Sequence, residues 1–202
     1  MIVACLDLEG VLVPEVWLAV ADKTGIEELG LTTREIPDYD ELMKGRLKVL
    51  AEHGIKLSDI QEVISTLKPL EGAKEFLDWL RERFQVIILS DTYYEFMWPL
   101  MRQLDYPTLF CHDLVVENDS IVGYKLRQSN QKQKAVQALQ SINFKCVATG
   151  DSYNDTTMLG QADAGALFKP SKQVANDFKQ FPVANNYDEL RAFFEKAAAK
   201  LS

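Results

Sequence analysis

Two carboxylates one residue apart, Asp7 and Glu9, stand directly after the apolar run Ile2–Leu6 and are followed by Gly10. A strand buried on both faces would end there, expose both acids and turn at the glycine. A second acidic cluster, Gly150-Asp151-Ser152-Tyr153-Asn154-Asp155, follows the apolar run 144–148, and a third apolar run, 86–89, ends in Ser90. If these three strand ends converge, they make one compact, acidic, metal-dependent site with a hydroxyl beside it. That is the chemistry of phosphoryl transfer through an aspartyl-phosphate.

Phosphate monoesters resist attack because their oxygens repel nucleophiles, and Mg²⁺ between a carboxylate and the phosphoryl group relieves the repulsion. Mg²⁺ takes hard oxygen ligands. Asp7 and Asp151 suit it, with the backbone carbonyl of Glu9 as a third ligand and the Glu9 side chain left free. Asp7 then doubles as the nucleophile. Glu9 shares a strand face with Asp7 and can protonate the leaving oxygen, then deprotonate the incoming water or alcohol. Ser90 can bond a phosphoryl oxygen, and a lysine would balance the transition-state charge. Lys132, at the start of a helix, is the first candidate and Lys134 the second. Asp155 would orient that lysine or support the metal from behind, and Asn154 would bind substrate or fix its loop. Taken alone each motif has a plainer reading, as a turn, a helix cap or a solvated side chain. Their joint order along the chain is what points to catalysis.

The elements needed to position these groups are readable. Residues 15–23, 38–53, 73–83, 93–104, 132–141, 155–161 and 187–199 carry helical patterns, with an expected break near Pro99 and a further helix starting at Ser171. Ser58-Asp59-Ile60-Gln61 fits a capping box opening another helix. Strands are expected at 85–89, 144–149 and 164–168, a hairpin at 115–125, and a loop at 32–37. Alternating strands and helices predict an α/β fold with a doubly wound, mostly parallel sheet, whose sites form at the carboxyl ends of strands. Residues 14–69 show no obvious buried strand and read as a small helical cap inserted after the first strand, leaving 1–13 and 70–202 as the α/β core.

Bulk properties narrow the function further. A chain of 202 residues holds one α/β domain with an insertion. A net charge of -8 argues against a nucleic-acid partner. No apolar stretch approaches the length of a membrane span, and the N-terminus enters a strand at once, so no signal peptide is expected. Cys5, Cys111 and Cys146 lie in apolar, strand-like contexts and read as free buried thiols of a cytoplasmic protein.

On Asp7-Leu8-Glu9-Gly10-Val11-Leu12, Ser90, Lys132 and Gly150-Asp151 with Asn154-Asp155, the chain resembles the haloacid dehalogenase superfamily of phosphotransferases over essentially its whole length. The insertion and Leu67-Lys68-Pro69-Leu70-Glu71-Gly72-Ala73 resemble its phosphoserine phosphatase branch. Within that branch, Cys5–Glu15, Ile36-Pro37-Asp38-Tyr39-Asp40, Ile88-Leu89-Ser90-Asp91-Thr92 and Gly150–Met158 are similar to the bacterial bifunctional phosphoserine phosphatase/homoserine phosphotransferases. The resemblance implies Mg²⁺, hydrolysis of phosphoserine, transfer of its phosphoryl group to homoserine, small-molecule partners and a homodimer. It also implies that Glu15 meets the substrate amino group and that Arg46 grips its carboxylate, for which a guanidinium fork is suited. Two departures from the superfamily pattern stand out: Glu9, where most phosphatases of the superfamily carry Asp, and Ser90-Asp91-Thr92, where many phosphoserine phosphatases have glycines, which puts Asp91 at the substrate pocket. A phosphatase for another small phosphomonoester is the nearest alternative. A receiver-type phosphoacceptor module is disfavoured because its accepting Asp lies mid-chain and it has no cap.

Overall fold

The computed structural model describes residues 1–32, 35–36 and 38–201. The apolar run at the N-terminus forms β1 (Ile2–Leu6), the centre of a seven-stranded sheet. It pairs in parallel with β2 (Gln85–Tyr93) on one side and with a strand at Lys145–Gly150 on the other, so that Cys5 lies opposite both Ile87 and Ala148. In chain order the other strands are β3 (Thr108–Glu117), β4 (Ser120–Lys125), β5 (Lys145–Gly150), β6 (Ala164–Phe168) and β7 (Val183–Ala184). The spatial order is β4-β3-β2-β1-β5-β6-β7, parallel throughout except for β4 against β3. The winding reverses between β1 and β5, which opens a crevice at their carboxyl ends.

Helices cover both faces. α6 (Gln131–Ser141), α7 (Thr156–Gln161) and α8 (Lys172–Asp177) bury Ala135, Val136, Met158, Leu159 and Val174 against Val3, Cys5, Cys146 and Ala148. On the opposite face, α4 (Ala73–Arg81), α5 (Tyr94–Gln103) and α9 (Tyr187–Leu201) pack Phe76, Phe96 and Phe194 against Ala4, Leu6 and Val147. Between β1 and α4 the described residues form α1 (Val16–Thr24), a 3₁₀ turn at Glu27–Gly30, α2 (Tyr39–His53) and α3 (Leu57–Thr66). Their buried Val16, Val20, Met43, Leu50, Ile60 and Ile64 join the second core.

Several expectations shift. β2 does not end at Leu89 but continues to Tyr93 past a register break, so Ser90 lies inside the strand. α5 is continuous through Pro99. The proline denies its turn one N–H, and the carbonyl so released, that of Glu95, accepts from Gln61 Nε2 of α3 at 2.7 Å instead. The capping box sits two residues early: Lys56 is the N-cap and the Asp59 carboxylate accepts its N–H. Ser58 donates its hydroxyl to Asp119 at 2.6 Å, in the turn of the β3–β4 hairpin. That turn uses Asn118 and Asp119 at φ 47° and 63°, a left-handed pair that suits a two-residue hairpin loop. The first half of β3, the 3₁₀ turn and β7 were not expected. Thr33, Arg34 and Pro37 of the expected loop lie outside the described residues.

Candidate active site

Asp7 follows β1 directly, and its N–H donates to the Thr149 carbonyl of β5 at 3.0 Å, so the ladder itself delivers the carboxylate to the crevice. Its Oδ1 accepts from the Leu8 N–H at 2.8 Å and lies 2.9 Å from Lys132 Nζ. Lys132, in the first turn of α6, is 3% exposed and also reaches Asp155 Oδ1 at 2.7 Å and Asp91 Oδ2 at 3.7 Å. Lys134 instead donates to Ser129 at the surface, so the lysine brought to Asp7 is Lys132. Asp155 is fully buried; its Oδ2 accepts the N–H groups of Asp151 and Ser152 at 3.0 and 3.1 Å. Glycine is needed at two places in this packing. A Cβ on Gly150 would lie 2.3 Å from Asp155 Cγ. One on Gly10, whose φ is +77°, would lie 2.6 Å from Asp151 Cγ. The glycine of the first motif and the aspartate of the last therefore form one steric unit.

Asp7, Asp151 and Asp155 each offer an oxygen within 4.8 Å of the others. Burial pushes the Asp7 carboxyl well above its ordinary value; Asp155 and Asp151 add to this and Lys132 opposes it. Burial, then Asp155 and Glu15, push Asp151 up to about 7. Burial would lower the Lys132 ammonium, but Asp155, Asp7 and Asp91 together hold it well above its ordinary range, so it is a fixed cation. Both oxygens of Asp155 are engaged by donors, whereas among the described residues Asp7 Oδ2 has no donor and the Asp151 carboxylate has none beyond its own backbone. An all-oxygen, over-acidic site of this kind fits a hard divalent cation.

Ser90 is buried, and its Oγ accepts from the Thr92 N–H at 3.4 Å. Asp91 and Asn154 meet across the crevice, Asn154 Nδ2 donating to Asp91 Oδ2 at 3.0 Å. The Glu9 side chain is not free as expected: its Oε2 accepts the N–H of Val16, the first residue of α1, at 3.0 Å. Glu15 occupies the N-cap position of that helix, and its charge acts on both Asp151 and Arg46. Arg46 of α2 is 7% exposed and stacks over Trp17, with Cζ 4.5 Å from the ring centroid. Its Nη2 donates to the Leu31 carbonyl at 2.6 Å and Nη1 to the Met43 sulfur at 3.7 Å, while Nε has no partner among the described residues. Burial pulls the guanidinium below its ordinary value, against the fields of Tyr39 and Glu9. A buried guanidinium with an unspent N–H is costly unless an anion completes it.

Sequence reading missed the aromatic and amide surround. The Tyr39 hydroxyl donates to the Asp91 carbonyl at 3.2 Å and shares a 2.8 Å hydrogen bond with Tyr93. Gln131 Nε2 donates to the Ser90 carbonyl at 2.5 Å. Gln131 stands next to Lys132, which was the available signal; nothing local to His112, Tyr93 or Trp17 marked them.

A family model described as haloacid dehalogenase-like hydrolase matches residues 3–163. The chain is 64% identical over 197 residues to a phosphoserine phosphatase of Pseudomonas syringae pv. tomato, covering 97% of this chain and 83% of that protein. It is 61% identical over 201 residues to phosphoserine phosphatase ThrH of Pseudomonas aeruginosa, covering 99% and 98%. In fold it is similar to the crystal structure of phosphoserine phosphatase from T. onnurineus, at TM-score 0.74 and 22% identity over 95% of this chain and 92% of that one.

Proposed function

The chain belongs to the haloacid dehalogenase-like hydrolases, and from that membership we propose that it is a Mg²⁺-dependent phosphoserine phosphatase acting through an aspartyl-phosphate on Asp7. We propose further that it passes the phosphoryl group of phosphoserine to homoserine. The observation that carries the substrate is Arg46: a buried guanidinium whose Nε has no partner among the described residues calls for an anion. With the phosphoryl group taken up at Asp7, the remaining anion of phosphoserine is its carboxylate, which a plain phosphomonoester lacks.

Asp7, Asp151 and the Glu9 carbonyl would hold Mg²⁺, which would supply charge neutralisation for the phosphoryl oxygens. In the first step Asp7 Oδ2 attacks phosphorus, the bond to the serine oxygen breaks, and that oxygen takes the proton of Glu9. In the second, Glu9 removes a proton from water, or from the homoserine hydroxyl, as that oxygen attacks phosphorus and frees Asp7. Lys132 stabilises the charge on the transferring group and Asp155 holds Lys132 from behind. Ser90 and Asn154 border the phosphoryl position, and Glu15 is placed for the substrate ammonium. The helices of 14–69 form the cap and 1–13 with 70–202 the core. In this reading Arg46 and Glu15 are cap groups acting over a core nucleophile, where water would be excluded. The resemblance also supports a homodimer and a cytoplasmic setting, and three free, buried cysteines accord with a reducing compartment.

The test is phosphate release from L-phosphoserine with Mg²⁺, with and without homoserine, following phosphohomoserine by phosphorus NMR. Phosphohomoserine should accumulate as free phosphate falls, and Asp7→Asn should abolish both. Free phosphate unchanged by homoserine would leave plain hydrolysis. No turnover of phosphoserine would remove the substrate assignment.

A further inference from the structure

Asp91 carries a carboxylate at the edge of the phosphoryl site, where a bare negative charge would repel substrate. Its oxygens, however, are directed at protein donors. Oδ2 takes Asn154 Nδ2 at 3.0 Å and faces Lys132 Nζ at 3.7 Å. Oδ1 takes Gln131 Nε2 at 3.2 Å and lies 3.5 Å from His112 Nε2. His112 is buried, and its Nδ1 accepts the Arg127 N–H at 3.1 Å. A ring nitrogen that accepts is unprotonated, so the imidazole proton lies on Nε2, the nitrogen nearer Asp91. Gln131 is held in turn by Arg127 Nη2 at 2.7 Å. Burial would raise the Asp91 carboxyl, but Lys132 and the bonds from His112, Asn154 and Gln131 hold it well below the carboxylate range.

We propose that Asp91, its orientation fixed by His112, is a positioning residue that sets Lys132 and Asn154 at the phosphoryl site, and not a substrate ligand. The inference rests on the phosphatase reading given above. Lys132 already spends contacts on Asp7 at 2.9 Å and on Asp155 at 2.7 Å. Asp91 supplies the pull from a different element, β2, and the same carboxylate ties in the loop after β5 through Asn154. Removing it lets the ammonium and the amide relax away from where charge develops, which is a transition-state loss. This differs from a substrate contact, whose loss appears in KM.

The experiment compares Asp91→Asn, His112→Gln and His112→Asn with the parent enzyme on phosphoserine and on p-nitrophenyl phosphate, with melting curves and vanadate inhibition for each. Asp91→Asn should lower kcat by about tenfold or more on both substrates, with KM changed by less than about twofold and vanadate binding weakened in parallel. Glutamine at 112 can place an N–H where Nε2 was, and asparagine can replace the Nδ1 acceptor but not that donor. His112→Gln should therefore retain kcat better than His112→Asn. If Asp91→Asn does not fold, the His112 pair decides. A rise in KM confined to phosphoserine would make Asp91 a substrate ligand and overturn the proposal. So would a lowered melting point with unchanged kcat and vanadate affinity, or equal losses in the two His112 variants. Failure of the parent enzyme on phosphoserine with turnover of the aryl phosphate would count against the substrate assignment alone, because the Asp91 test runs on either ester.

Discussion

Glu9 reaches one methylene further than the aspartate most phosphatases of the superfamily carry, and the structure shows what that length spans. Its Oε2 takes the N–H of Val16, one of the donors a helix start leaves unpaired, so the proposed acid/base is tethered to the first turn of α1. Glu9→Asp would shorten this reach, and it should lower the ratio of phosphohomoserine to free phosphate by a few-fold, with total turnover less affected. An unchanged ratio by phosphorus NMR would remove the link between side-chain length and acceptor choice. Asp151 gives a second test at this scale. Its carboxyl rises from an ordinary 3.8 to about 7, chiefly through burial. An acid whose folded pKa is raised binds its proton more tightly folded than unfolded, so stability is lost as pH climbs through that window. The loss from this group reaches about 4 kcal/mol at most. Metal-free protein should therefore melt progressively lower from pH 4 to pH 7. Mg²⁺ on the carboxylates should relieve the cost, so the gap between Mg²⁺-loaded and EDTA-treated melting points should widen with pH. A gap of the same size at pH 5 and pH 8 would contradict a cation at this site.

Helix α3 shows how one element can be specified from far along the chain. Its N-terminus is closed by the hairpin turn: the Asp119 carbonyl accepts the Leu57 N–H at 2.8 Å and the Asp119 carboxylate accepts the Ser58 N–H at 3.1 Å. Asp119→Ala removes the carboxylate contacts and should cost about 1 kcal/mol in urea denaturation. Asp119→Asn should recover part of that, whereas equal losses would assign the cost to the turn instead of the cap. The same geometry explains why the helix was legible and its cap was not. Ile60, Val63 and Ile64 repeat at helical spacing and are buried as that spacing requires. Ser58 looked like a local cap, but its partner stands 61 positions away. The continuity of α5 through Pro99 has the same origin, since Gln61 of another helix satisfies the released carbonyl. At the site, Asp7, Glu9 and Asp151 were legible because they follow apolar runs at a strand's carboxyl end, Ser90 because it ends an apolar run within β2, and Asp155 because it closes the acidic cluster after β5. His112, Gln131 and Tyr39 were not, because their part comes from packing between elements that no local pattern encodes.

At the scale of the whole molecule, the proposed site would draw on both the sheet and the inserted helices. The reversal between β1 and β5 places Asp7 and Asp151 side by side. The helices bring Arg46, and they are tied to the sheet by Tyr39 on Asp91 and Tyr93, and by Tyr124 of β4 on Asp40 of α2 at 2.5 Å. On the proposed function, a ligand that carries both a phosphoryl group and a carboxylate would reach both Asp7 and Arg46, whereas one with a phosphoryl group alone would engage the sheet side only. Binding to the folded state raises stability with the logarithm of affinity, so with Mg²⁺ present and at equal concentrations a phosphonate analogue of phosphoserine should raise the melting point more than methylphosphonate does. Arg46→Ala should erase that difference and leave the methylphosphonate effect in place. The expected loss in affinity for the carboxylate-bearing ligand is about tenfold to a hundredfold, the weight of a charged hydrogen bond. Arg46 also stacks on Trp17 and holds the Leu31 carbonyl, so the free variant should melt lower than the parent. That shift applies to both ligands alike and cancels in their comparison. Arg46→Lys keeps the charge but not the fork, and it should restore the melting point more than the discrimination. If Arg46→Ala weakened both ligands equally, the guanidinium would be a structural strut between the inserted helices, and the carboxylate of the substrate would have to be met elsewhere.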